Sequence, residues 1–265
     1  MNHSIFGTKH LILVAISALL IVGLFWLSRK WRLERICRVM FYVGICSETV
    51  KIFYYIIQNE AKYGGILPKT DLPFHLCSIQ ILFVAVVTFA NSPRLKRFLL
   101  SFMFPSCLLG GIAAILIATQ SSLNGMWIIT AQYFLYHIAI VVMALHIGTN
   151  KKLRLTVKDY FSCLKLLGIL FFFATYVNSI VYDGVSNINF MYVSSPPQSG
   201  LPYLNEDHGW LVYIVHYAAL VLLCVTLCYV KPILVAIKTR LGKKQAPEAE
   251  APAEKAEAEK ELLKK

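Results

Sequence analysis

Seven apolar stretches of roughly bilayer length, separated by short polar linkers, constrain this chain more than any other feature. They occupy residues 10–28, 37–58, 72–90, 98–118, 125–148, 160–181 and 210–230. A hydrocarbon core about 30 Å thick takes about 17–25 helical residues to cross. Backbone in lipid finds no water for its N–H and C=O groups, so such segments are helices or the strands of a closed barrel. Their length and lack of strict alternation favour helices. Composition agrees, with 57% hydrophobic residues, 15% charged and a mean hydropathy of +0.62, outside the balance of a soluble domain. The expected fold is all-α: a polytopic seven-transmembrane-helix bundle over residues 1–242, then a charged, low-complexity cytoplasmic tail over 243–265.

Orientation follows from the cations. Arg29 to Arg38, then Arg94, Lys96 and Arg97, then Lys151, Lys152, Arg154 and Lys158, then Lys231, Lys238 and Arg240 fall in every second linker, whereas the alternate linkers hold only Lys9, Lys62 and Lys69. The positive-inside rule then sets the amino terminus outside and the carboxyl terminus in the cytoplasm, the parity that seven crossings require. A multi-pass protein of the cell membrane is expected. The first run is not read as a secretory signal, because its cationic cluster follows the apolar stretch instead of preceding it. The net charge of +12 is spread over linkers that abut the bilayer, where it attracts anionic lipid, and no base-reading motif accompanies it, so nucleic acid is not a partner.

The seven cysteines show neither metal-site nor disulfide-framework spacing, and no cofactor is expected. Cys224 and Cys228 lie one turn apart and are read as packing residues. Cys77 differs by its neighbours. It follows Asp71, Pro73 and His75 and precedes Ser78 and Gln80 at the mouth of the third run. Elsewhere in the spans lie Ser47, Glu48 and Lys51, then Gln132 and His137, then His216. Ionisable groups in a bilayer face one another or a wet cavity, which points to one polar pocket inside the bundle. Each member also has a plainer reading. Glu48 and Lys51, three residues apart on one helix face, can be a structural ion pair, and His137 can be a core histidine satisfied by a backbone carbonyl. A reactive Cys77 needs an activating base or cation from another helix.

The motif Leu72-Pro73-Phe74-His75-Leu76-Cys77-Ser78, together with Ser47-Glu48, the helix bearing Phe134 and His137, and Asn187-Ile188-Asn189-Phe190-Met191-Tyr192-Val193 followed by Pro196-Pro197, resembles the YwaF-type bacterial integral membrane family. That family is similar to eukaryotic transmembrane protein 164. The resemblance spans about residues 32–231 and implies a seven-helix bundle related to membrane lipid hydrolases and to a cysteine-dependent phospholipid acyltransferase. In those relatives a Cys or Thr nucleophile on one helix works with a His on another. Carried over by motif, Cys77 takes the nucleophile position and His137 the His position, with membrane lipids, a phospholipid or a lysolipid as substrate. The acyltransferase relative has a His directly after its Cys, whereas here Ser78 follows. Oxyanion donors would come from Gln80, Gln132 or Tyr136.

Two other function classes are open to the same residues. Glu48, Lys51, His75, His137 and His216 could line a solute or proton path in a transporter or ligand-binding protein. The linker at 183–209, too long for a plain connector, could dock a partner in a structural subunit or fold over the pocket as a lid. Within it Asn189, a candidate pocket residue, with Asn178 just before, could orient a ligand or cap backbone, capping being the favoured reading, and Tyr192 and Tyr203 are expected to anchor the linker at the interface. Nothing in the sequence fixes an oligomeric state.

Overall fold

The computed structural model of the chain describes residues 6–58, 64–196, 204 and 209–245. Lys62, Pro197, Pro202, Tyr203 and residues 246–265, most of the expected tail, lie outside the described residues. The architecture is all-helical, with no strand among the described residues. Seven long helices follow the seven apolar runs: α1 (Thr8–Ser28), α2 (Leu33–Phe53), α3 (Leu76–Phe89), α4 (Pro93–Leu116), α5 (Trp127–Thr149), α6 (Val157–Val181) and α7 (Trp210–Cys228). An eighth, α8 (Val230–Gln245), continues past the last run and into the segment expected to be tail.

Five of these helices, α1, α4, α5, α6 and α7, are long and apolar enough to cross a membrane. The other two depart for separate reasons. α2 carries Glu34, Arg35, Arg38, Glu48 and Lys51, and α3 has only 14 residues. The apolar run begins at Leu72, but a residue before proline is driven out of the α region, and Leu72 accordingly sits at ψ 148° ahead of Pro73. Helix starts at Leu76, with His75 extended at the N-cap.

The helices alternate in direction, so linkers collect at two ends. At one end Arg97 of α4 meets Asp159 of α6, and Ser28 of α1 accepts a hydrogen bond from His146 of α5 at 2.8 Å. All four cation-rich linkers open there. At the other end His10 of α1 is wholly buried and donates from Nε2 to the Ile115 carbonyl (3.0 Å), while its Nδ1 accepts from the Phe6 N–H. Lys9 caps the Leu123 carbonyl at 2.6 Å. These contacts satisfy helix-end acceptors that would otherwise be orphaned.

The main apolar cluster is drawn from α2 to α7, with Met40, Phe83, Met103, Met143 and Leu166 among its members, and two smaller ones gather around Phe134 and around Tyr213. Cys37, Cys107 and Cys163 are buried in it as small hydrophobes. α4 and α5 are the most buried spans and pack against each other. Gly111 allows their close approach, since a Cβ there would meet Val141 at 2.5 Å and the His137 carbonyl at 3.2 Å.

Pro105 lies inside α4 and has no N–H, so the Ser101 carbonyl one turn earlier loses its helical donor. Tyr229, wholly buried at the α7–α8 junction, fills the vacancy by donating its hydroxyl to that oxygen at 2.7 Å. Replacing Tyr229 by phenylalanine leaves a buried carbonyl unpaired and is expected to lower stability by about 1–3 kcal/mol, read as a fall in melting temperature of the purified protein in detergent.

Candidate functional site

The polar residues singled out in the sequence gather mainly at the end opposite the cations. Lys51 donates to both carboxylate oxygens of Glu48, at 3.0 and 2.8 Å, with the two side chains 12% and 21% exposed. Immediately beyond them α2 widens into a π-helical turn, Tyr54–Gln58, a distortion found mostly at functional sites. Ser47 accepts from Gln132 Nε2 at 2.6 Å, which ties α2 to α5. Asp71, on a 3-10 turn (Lys69–Asp71) just ahead of α3, joins the same group. Burial pushes its carboxyl up, while Lys51 and hydrogen bonds from Thr70 and Tyr55 act the other way.

His75 does not lie within a helix, although the apolar run that contains it begins at Leu72. It precedes the helix, with its ring against Phe190 (centroids 5.1 Å) and Tyr192 (6.2 Å). Cys77 is the second residue of α3 and half-buried. Its carbonyl accepts from the Tyr136 hydroxyl at 2.7 Å, and Lys51, Glu48, Tyr133 and Tyr192 lie within electrostatic reach of its thiol.

Depth follows from helix length. Fourteen residues span roughly 21 Å, so α3 stops short of a 30 Å hydrocarbon core by about 9 Å. Tyr136, the tenth residue of α5, reaches Cys77 from a similar depth. The partly exposed stretch 64–75, with its one 3-10 turn, leads directly into this short helix.

His137 is buried on α5, next in sequence to Tyr136. Its Nδ1 lies 2.6 Å from the Tyr133 carbonyl. A carbonyl can only accept, so Nδ1 carries the proton and, in the neutral ring, Nε2 is a bare lone pair. That nitrogen has no hydrogen-bond partner among the described residues. The plain reading of a core histidine held by a carbonyl and the reading of an oriented base thus describe one hydrogen bond.

Three donors nominated from the sequence are committed elsewhere. Gln80, almost wholly buried, donates to Ser106 at 3.0 Å and leaves its Oε1 unpaired. Gln132 serves Ser47 and Tyr136 serves the Cys77 carbonyl. What is free is backbone. The first main-chain bond of α3 runs from the Ile79 N–H to the His75 carbonyl and no side chain caps the helix, so the N–H groups of Leu76 and Cys77 lack intrahelical acceptors, while the N–H and hydroxyl of Ser78 face the Cys77 thiol.

Asn189 organises its own linker, with Nδ2 on the Ser195 carbonyl and hydroxyl and Oδ1 on the Ser194 and Ser195 N–H groups. Asn178 likewise clasps both main-chain groups of Phe190. His216 stands apart, exposed on the outer surface of α7. Among the described residues no three His, Cys, Asp or Glu side chains group as a metal site. An open depression of about 600 Å³ lies over the linker between Asn178 and Ser195, and neither Cys77 nor His137 lines it.

The same linker is fastened to the entry of α3 by an exposed ion pair, Lys69 to Asp183 at 3.0 Å. The Ser186 N–H, then Lys69 and the Val185 N–H, hold the Asp183 carboxyl well below the usual carboxylate range. A depressed folded value means the contribution is complete above the unfolded value near 3.9 and is lost as pH falls through the folded one. Amide exchange at Val185 and Ser186 is therefore expected to stay protected from pH 8 to 5, beyond the intrinsic pH dependence of exchange, and to accelerate only below about 4. In Asp183→Asn this acid-dependent loss should disappear.

No curated protein and no solved structure matches the chain. One family model, described as the TMEM164 family, matches residues 5–229, which takes in every span and every residue of the candidate site. This chain of apolar helices, with its polar group around Cys77, is a membrane protein that belongs to the TMEM164 family.

Proposed function

We propose that the protein crosses the cell membrane seven times, amino terminus outside, and uses Cys77 and His137 for acyl chemistry on a lipid ester. The observation that carries this reading is the state of His137. One ring nitrogen is anchored to the Tyr133 carbonyl and the other is a bare acceptor, on the helix whose Tyr136 grips Cys77. This is the logic of a base oriented by a third group.

The sequence of steps is short. His137 Nε2 takes the thiol proton, and the thiolate adds to the ester carbonyl of a phospholipid. The developing oxyanion lies by the free N–H groups at the start of α3, whose dipole favours negative charge. Collapse breaks the carbon–oxygen ester bond, and the protonated His137 returns its proton to the departing alkoxide, leaving an acyl thioester on Cys77. Water resolves it to a fatty acid, or the hydroxyl of a lysolipid resolves it to a new ester. Lys51 supplies positive potential near the thiolate, while Gln80, Gln132 and Ser47 hold the walls.

Transport along the same polar groups is the competing account. It is less well supported, because Glu48 and Lys51 are already paired with each other and His216 is exposed on α7. The two separate in nanodiscs containing phosphatidylcholine and an isotope-labelled lysolipid. Acyl chemistry gives labelled phosphatidylcholine or free fatty acid by mass spectrometry, lost in Cys77→Ala. Solute flux that survives Cys77→Ala and fails in Glu48→Gln and Lys51→Met would instead establish transport.

A further inference from the structure

A second group in this site deserves a role, and its backbone marks it. Met191 and Tyr192 stand at φ 57° and 54°, two successive non-glycine residues in the left-handed region, which crowds Cβ against the carbonyl. Such strain persists only where the surroundings over-determine it, and here they do. Tyr213 donates to the carbonyls of Tyr192 and Ser195, Tyr217 to that of Met191 at 3.1 Å, and Trp210 Nε1 to that of Val193 at 3.0 Å. Asn178 holds Phe190 from α6 at 2.8 and 3.2 Å.

These bonds fix where the Tyr192 side chain goes. It lies against His75 and within electrostatic reach of the Cys77 thiol and of Tyr133. Its neighbours spend their hydroxyls on carbonyls: Tyr133 on Ala114, Tyr136 on Cys77, Tyr213 on Tyr192 and Tyr217 on Met191. The Tyr192 hydroxyl alone in this group has no hydrogen-bond partner among the described residues. A strained backbone that holds one uncommitted hydroxyl beside His75, the N-cap of the helix that carries Cys77, is a feature that packing does not require.

We propose that Tyr192 is a catalytic hydrogen-bond donor, whose hydroxyl binds the carbonyl oxygen of the lipid ester and stabilises the oxyanion formed as Cys77 attacks. It deepens the acyl reading above and rests on it. Tyr192 keeps its proton throughout: the bond shortens as charge builds on the oxygen and relaxes when the tetrahedral adduct collapses to the thioester. The backbone N–H groups of α3 supply the companion donors.

Tyr192→Phe removes only the hydroxyl, and because that hydroxyl has no partner the melting temperature should not move. The test uses the full chain in nanodiscs and compares two reactions at Cys77, acylation by a p-nitrophenyl acyl ester and alkylation by iodoacetamide, each followed by mass spectrometry. Acylation passes through an oxyanion and alkylation does not. Tyr192→Phe is expected to acylate about 10²–10³-fold more slowly and to alkylate at the wild-type rate. Equal acylation of variant and wild type would overturn the role of Tyr192 while leaving Cys77 as nucleophile. A parallel fall in both reactions would also overturn it, because the hydroxyl would then be shaping the site. A wild-type protein that is not acylated at Cys77 would overturn the acyl reading and this inference together.

Discussion

Replacing His137 by alanine is expected to slow acylation of Cys77 by about 10²–10⁴-fold, the usual contribution of a positioned base. The protein should still fold. The Tyr133 carbonyl retains its place at the end of a helical backbone bond, so the loss is a partly filled cavity, not an orphaned acceptor. Adding imidazole to His137→Ala should restore part of the rate if the ring serves as the base, because free imidazole can occupy the vacated space. Gly111 reinforces the point from the other side of α5. A valine there meets Val141 and the His137 carbonyl, so it would displace the helix that carries the base and lower the rate without touching either reacting residue. Acylation in His137→Ala at the wild-type rate, measured by mass spectrometry at fixed ester concentration, would remove His137 from the mechanism.

Asp159→Ala is expected to produce the largest loss of stability of any single substitution at the cationic end. Asp159 is 5% exposed and takes a two-pronged bond from Arg97, at 2.8 and 2.7 Å. It also closes a capping box on Thr156 at the start of α6, at 2.7 Å to both the N–H and the hydroxyl. Removing one member of a buried pair costs about 3–5 kcal/mol, but the Arg97 side chain is 42% exposed and can recover water, which reduces that share. With the lost cap, about 3 kcal/mol remains. Arg97 also donates to the carbonyls of Leu153 and Arg154, so Arg97→Lys should lose part of this, having one point charge where a planar fork is needed. Thermal unfolding in detergent, compared across the two variants, gives the order.

Much of this was legible in the amino-acid order, and the failures have identifiable causes. Each of the seven apolar runs holds a helix, and five of these are long and apolar enough to cross a membrane, because backbone in lipid has few options. Run length misjudged the third, where Pro73 delays the helix to Leu76 and moves His75 from a helix face to a cap. The pairing of Glu48 with Lys51 follows from helical spacing, and Asn178 and Asn189 do clasp backbone as their residue type suggests. Hydrogen-bond commitments were not legible. Gln80, Gln132 and Tyr136 read as available donors until their acceptors on α4, α2 and α3 were in view, and no local pattern distinguishes the exposed His216 from the buried His137. The Ser101 carbonyl was foreseeable from Pro105 alone, but its donor, Tyr229, lies 128 positions away in sequence. His10, engaged through both ring nitrogens, and His146, bonded to Ser28, are both buried and drew no attention because their partners are equally remote. Tyr192 was expected to anchor the linker at the interface, whereas its left-handed backbone and the four side chains that hold it turn it toward His75.

The central claim is that Cys77 becomes acylated with His137 as its base, and intact-protein mass spectrometry tests it most directly. The purified wild type, Cys77→Ser and His137→Ala are each incubated with a phospholipid acyl donor, quenched in acid, and digested to locate the adduct. The account predicts one acyl mass on the Cys77 peptide of the wild type, discharged by neutral hydroxylamine as a thioester must be, strongly diminished in His137→Ala and gone from that peptide as a thioester in Cys77→Ser. Turnover of the lipid with no acyl mass at Cys77, or an adduct of equal yield on several of the seven cysteines that ignores His137, would contradict it.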